Sequence, residues 1–112
     1  MKHEMKLNNE PFVKIKNGSK TVELRLNDEK RQLVNIGDLI EFTNRETGET
    51  ILTKVEDLYH YPSFEELYKN IDKTLIGYSL DEEVDPHHMD KYYTREEQDK
   101  YGVLGIKIKI ML

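Results

Sequence analysis

Gly18-Ser19-Lys20-Thr21-Val22-Glu23-Leu24-Arg25, continuing through Leu26-Asn27-Asp28-Glu29-Lys30-Arg31, is the stretch whose reading decides the fold. Gly18 suits the end of a helix. Beyond it the residues alternate as a strand requires: Val22, Leu24 and Leu26 share one side, and Thr21, Glu23 and Arg25 the other. Glu23 and Arg25 are then same-face neighbours about 7 Å apart at Cα. Lys20 stands where the turn enters the strand, within reach of that face. An acid between two cations on a rigid strand either holds a polar ligand or pairs internally, and both readings stand at this point.

Upstream, Met5-Lys6-Leu7 reads as a short first strand. A helix follows, capped by Asn9, with Pro11 in its first turn and Phe12 and Ile15 on one face. Lys14, Lys16 and Lys20 gather near its C-terminus, where the helix dipole favours cations. Downstream, the polar loop Asn27–Arg31 and the turn at Gly37-Asp38 lead to an alternating strand, Leu39–Asn44. Arg45–Glu49 is a hairpin loop and Ile51–Tyr59 the return strand. Ser63 and Glu66 have capping-box spacing, and Phe64, Leu67, Tyr68 and Ile71 form the stripe of an amphipathic helix.

Gly77 breaks that pattern. Asp81-Glu82-Glu83 is an acidic run expected in a solvated loop. Asp85-Pro86 can start a short helix, and Thr94 with Glu97 repeats the capping spacing before a polar helix that stops at Gly102. Val103–Met111 closes the chain, with Ile106, Ile108 and Ile110 on one side and Lys107 and Lys109 on the other. No regular strand–helix–strand alternation is present, which excludes a doubly wound sheet. The expected fold is α+β and β-dominated: one domain over residues 1–112, a small mixed-direction barrel of five or six strands flanked by short helices.

Composition narrows the function classes. Hydrophobic residues make up 37% and charged residues 35%, but the apolar ones are periodic, so the chain is read as folded. The net charge of −5 argues against broad non-specific nucleic-acid binding, and no DNA duplex is expected as a partner. The charge is uneven: residues 1–25 carry +3 and the remainder −8. There is no cysteine, which removes disulfides and thiolate metal sites. No apolar run approaches the ~20 residues of a membrane span, so a soluble, cytoplasmic protein is expected.

Several chemistries lack their motifs. G-x-x-x-x-G-K-[ST], G-x-G-x-x-G, H-E-x-x-H and G-x-S-x-G are all missing. His87 and His88 are adjacent, and nothing in the spacing of Asp85, His87 and Asp90 fixes a metal geometry. No metal or cofactor is expected. Of the seven tyrosines, Tyr59 and Tyr61 beside a strand end are best placed to stack a nucleobase, and Tyr68 and Tyr101 read as core.

Glu10-Pro11-Phe12, Ile15 to Arg25, the turn Ile36-Gly37-Asp38-x-Ile40-x-Phe42 and the ending Tyr101-Gly102-Val103-x-Gly105-Ile106 together resemble the ASCH domains, small relatives of the PUA fold. The resemblance covers essentially the whole chain. It implies a nearly closed β-barrel with a charged cleft beside the helix-to-strand turn, and binding of RNA or a nucleotide-like ligand. One branch of the family deacetylates N4-acetylcytidine and carries G-x-K-T-x-T-x-R, with the lysine and second threonine catalytic and a later glutamate assisting. Gly18, Lys20, Thr21 and Arg25 match that pattern. The nucleophilic threonine position is Glu23, and the later glutamate corresponds to Glu65 or Glu66.

Three functions follow as expectations. In the first, an RNA- or nucleotide-binding module, Lys20 and Arg25 meet phosphate, Glu23 and Thr21 hydrogen-bond the ligand, Lys16 adds to a positive rim and Tyr59 stacks. In the second, a small amidohydrolase acting on a modified nucleoside, Lys20 stabilises an oxyanion and Glu23 activates water. In the third, the charged face is a buried ion network in a partner-binding domain.

Overall fold

The structure, a computed structural model, describes residues 1–111. Five strands form one sheet: β1 (Lys2–Leu7), β2 (Val22–Leu26), β3 (Leu39–Asn44), β4 (Thr50–Tyr61) and β5 (Val103–Ile110). Their order is β1-β3-β4-β5-β2. Only β1 and β3 run parallel; every other neighbouring pair is antiparallel. Helix α1 (Asn9–Lys16) links β1 to β2, while α2 (Phe64–Asn70) and α3 (Arg95–Tyr101) lie between β4 and β5 in sequence. A bulge between Val55 and Asp57 interrupts the long β4–β5 pairing, and such a bulge adds the twist that lets a sheet curl.

Curling gives the sheet a concave face that is the main core. Met5, Leu7, Ile40, Phe42, Val55, Leu104, Ile106 and Ile108 meet there, with Phe12 and Ile15 of α1 and Val34 packed in. The outer face is alternately polar and covered. Val22, Leu24 and Val103 point outward under Phe64, Leu67, Ile71 and Ile76, and Tyr59, Tyr61, Tyr68, Tyr78 and Tyr93 fill in around them. Both faces of β2 are therefore buried, and all five of its residues are inaccessible.

The sheet's two edges, β1 and β2, share no ladder. Helix α1 fills the gap between them, and two cations bridge it. Arg25 Nη2 donates to the Lys6 carbonyl at 2.8 Å and Lys30 Nζ to the Glu4 carbonyl at 3.1 Å. These side chains satisfy edge acceptors of β1 that would otherwise invite another strand.

Local signals explain most element ends. Ser63 accepts from the Glu66 N–H, and Thr94 with Glu97 forms the full reciprocal capping box. Several boundaries differ from expectation. β1 starts at Lys2, not Met5, and β4 extends from Thr50 to Tyr61. Asn8, not Asn9, caps α1, because the Asn9 side chain accepts from Asn44 Nδ2 at 2.9 Å. The stretch after Pro86 forms only a 3₁₀ turn, His88–Lys91.

Gly102 ends α3 with φ +71° and ψ −176°, a region reserved for glycine. A Cβ there would also stand 3.1 Å from the Tyr61 carbonyl oxygen. Gly102→Ala is expected to lower stability by about 1–3 kcal/mol in urea unfolding. A change inside measurement error would contradict the close approach of β5 to β4 at this point.

Candidate functional site

Helix α1 ends at Lys16, and Gly18, at φ +85°, turns the chain back. The turn is tightly tied. The Ser19 N–H donates to Asn17 Oδ1, the Lys20 N–H to the Lys14 carbonyl at 3.0 Å, and the Thr21 N–H to the Leu75 carbonyl at 2.8 Å. Lys20 is thus fixed at the end of the barrel before β2 begins. Strand alternation then sends Glu23 and Arg25 into the concave face, opposite Ile106 and Leu104 of β5.

The three charged side chains meet. Lys20 Nζ lies 2.9 Å from Glu23 Oε1, which also accepts the Leu24 N–H at 3.1 Å. Arg25 donates to Glu23 Oε2 through Nε at 3.0 Å and through Nη2 at 2.9 Å. Four donors therefore fill the acceptor positions of one carboxylate. The side chains are 11%, 5% and 9% exposed for Lys20, Glu23 and Arg25. Burial by itself pushes the Glu23 carboxyl up; the charges and hydrogen bonds of Lys20 and Arg25 overcome that and bring it down to about 2. The cluster is charged throughout the ordinary pH range and carries one net positive charge.

The surroundings of Lys20 form a basic mouth with an acidic strap. A Cβ on Gly77 would stand 3.1 Å from Lys14 Cδ and 3.3 Å from Lys20 Cβ, so the chain at Gly77 lies directly on both lysine stems. Gly77 terminates the 3₁₀ turn Lys73–Ile76 in a left-handed conformation, φ +103°. From there the chain runs into Ser79–Glu83. Lys73 Nζ pins that strap, donating to the carbonyls of Leu80 and Glu82. The Glu82 carboxylate accepts the Ser79 N–H at 2.9 Å. That bond, and beyond it the charges of Lys14 and Lys73, hold the Glu82 carboxyl below its ordinary value.

The other expected site residues disperse. Thr21 is on the same strand face as Glu23, and its backbone ties β2 to Leu75 and Ile108. Lys16 points away and pairs with Glu49 at 2.5 Å. Tyr59 stands opposite Gly105 and packs in the outer layer, on the other side of the sheet from Glu23. Glu65 and Glu66 lie on α2 in that outer layer, near Lys69 and, for Glu65, Arg95. The open cleft expected at the helix-to-strand turn is instead a closed recess, because α1, Gly77 and the strap cover it. A concavity of about 510 Å³ lies elsewhere, bordered by Ile36, Lys54, Lys109 and Met111.

The sequence reading missed the roles of Lys14, Lys73 and Gly77 around Lys20. The break at Gly77 was visible, but its contact with residues more than fifty positions earlier was not. It also missed His3, buried on β1 with Nε2 at 2.8 Å from Asp38 Oδ2.

Comparison with known proteins places this geometry. The ASCH domain pattern matches residues 5–111. The crystal structure of hypothetical protein PH0355 superposes with a TM-score of 0.83 at 33% identity, covering 99% of this chain and all of that one. The solution structure of PF0455 from Pyrococcus furiosus gives 0.76 at 30% identity, covering 99% and 98%. ASCH from Zymomonas mobilis gives 0.67 at 17% identity, covering 95% of this chain and 65% of that one, a likeness of fold. No curated protein matches.

Proposed function

Since the chain belongs to the ASCH domain family, we propose that it is an RNA- or nucleotide-binding module whose anion-recognising head is Lys20. One observation carries this reading: the Glu23 carboxylate is saturated by four donors and holds the Lys20 ammonium at 2.9 Å, in a recess with an excess positive charge. A cation held in a water-poor recess has already lost most of its hydration and conformational freedom. An incoming phosphate then gains a charge-assisted hydrogen bond at reduced cost. Arg25 positions Glu23, and Glu23 positions Lys20.

The amidohydrolase reading asks Glu23 to take a proton from water. A carboxyl held at about 2 with its lone pairs occupied is a poor base near neutral pH. Glu65 and Glu66 in the outer layer offer no substitute beside Lys20. A structural role has one observation of its own, the 2.8 Å bond from Arg25 to the Lys6 carbonyl across the barrel seam. The two roles are compatible, since a rigid seam is what holds the head in place.

The test is equilibrium binding of fluorescent oligoribonucleotides to the wild type and to Lys20→Ala, with folding of both verified by circular dichroism. Loss of a charged hydrogen bond worth about 1.5–3 kcal/mol weakens binding roughly 10- to 150-fold. Equal affinity in the two proteins would remove Lys20 as the anion contact.

A further inference from the structure

Resting on the Lys20 reading above, we infer that the site selects a phosphate monoester, on a mononucleotide or at the end of an RNA strand, and that the acidic strap Ser79–Glu83 excludes the internal phosphodiester chain.

Reach is the first argument. The Lys20 and Arg25 side chains are 11% and 9% exposed, and Gly77 lies on the Lys20 stem at the entrance. A terminal phosphate presents three unsubstituted oxygens at the tip of the ligand and can enter such a recess head first. An internal phosphodiester has a ribose on both sides and would have to lay a continuous backbone along the rim. Single-strand binders that track a backbone use an open positive groove, and this site has none.

Charge is the second argument. Asp81, Glu82 and Glu83 are all exposed, and the strap that carries them is anchored over the mouth by Lys73 and by the Ser79–Glu82 turn. Of the rim cations, Lys73 is committed to strap carbonyls and Lys14 stands 3.3 Å from Glu10. A strand crossing this rim brings flanking phosphates within one screening length, about 10 Å at 0.1 M salt, of three carboxylates. A compact dianion brings no such neighbours and is drawn to the net positive charge of the buried cluster. The rim repels a polyanion while the recess attracts a single anionic head.

The experiment compares four probes on the full chain at fixed ionic strength: uridine 5′-monophosphate and hexauridylates bearing a 5′-phosphate, a 3′-phosphate or hydroxyls at both ends. The monophosphate and at least one end-phosphorylated hexamer are expected to bind about tenfold or more tightly than the hydroxyl-ended hexamer. The triple variant Asp81→Asn/Glu82→Gln/Glu83→Gln keeps the oxygen that accepts the Ser79 N–H. It should tighten the hydroxyl-ended hexamer about tenfold and leave the monophosphate unchanged.

If the hydroxyl-ended hexamer binds the wild type as tightly as the phosphorylated ones, selection of a monoester is wrong. The Lys20 reading still survives in that case if Lys20→Ala weakens them all. If the triple variant discriminates as the wild type does, the strap is not the filter. If Lys20→Ala moves none of the four affinities, the Lys20 reading fails and this inference with it.

Discussion

Glu23→Gln is expected to lower the unfolding free energy by about 3–5 kcal/mol, the largest effect of any single charge removal in this protein. The substitution keeps the size of the side chain but removes the charge that neutralises Lys20 and Arg25, which stay buried at 11% and 9% exposure. Two uncompensated cations then share one recess. Urea unfolding at neutral pH reads the effect directly, and a change below about 1 kcal/mol would mean that water reaches the cluster far more freely than its burial indicates.

The same residue gives a pH signature. Its carboxyl is held at about 2 in the folded protein against an ordinary 4.5. A depressed folded-state value means the stabilisation is fully present above about 4.5 and is lost as the pH falls toward 2. Asp38 is also held at about 2, first by its hydrogen bond to His3, and adds a slope of the same sign to both proteins. The wild type should therefore lose stability more steeply than Glu23→Gln between pH 4.5 and 2, by up to about 1.4 kcal/mol per pH unit.

Arg25→Ala carries the second large effect, again about 3–5 kcal/mol. It leaves Glu23 with a single cation and strips the Lys6 carbonyl of its donor across the seam. Arg25→Lys separates these contributions: a lysine can hold Glu23 but cannot also reproduce the planar fork that spans to β1. It should recover about half the loss while amide exchange in β1 stays faster than in the wild type. Full recovery of both stability and β1 protection would show that the bridge to Lys6 contributes nothing to closing the barrel.

Much of this arrangement could be read from the chain because β2 obeys a strict period of two. The alternation that puts Val22 and Leu24 on one side requires Glu23 and Arg25 on the other, whatever the tertiary context. What the alternation could not say is that both sides are buried. An alternating strand is ordinarily half solvated, and here the second face is covered by chain from residues 64–76 and the first by the curl of the sheet. The same omission misplaced Tyr59: its position beside the strand end was right, but the bulge at Val55–Asp57 and the pairing with Gly105 set it in the outer layer. The loop closing over Lys20 was illegible for a different reason. Gly77 and Lys73 meet Lys14 and Lys20 through contacts separated by more than fifty residues, and no local pattern encodes those. The strand starting at Lys2 was shortened because His3 sits in a core position usually held by an apolar residue, tolerated through its bond to Asp38.

The most direct measurement is the ¹⁵N signal of the Lys20 side-chain ammonium, followed as uridine 5′-monophosphate is added. A preorganised anion head predicts that this signal shifts saturably while those of Lys54 and Lys109, which border the separate outer concavity, stay in place. A Lys20 signal that does not move up to saturating nucleotide would contradict it, and would leave the ion cluster as a brace for the barrel seam alone.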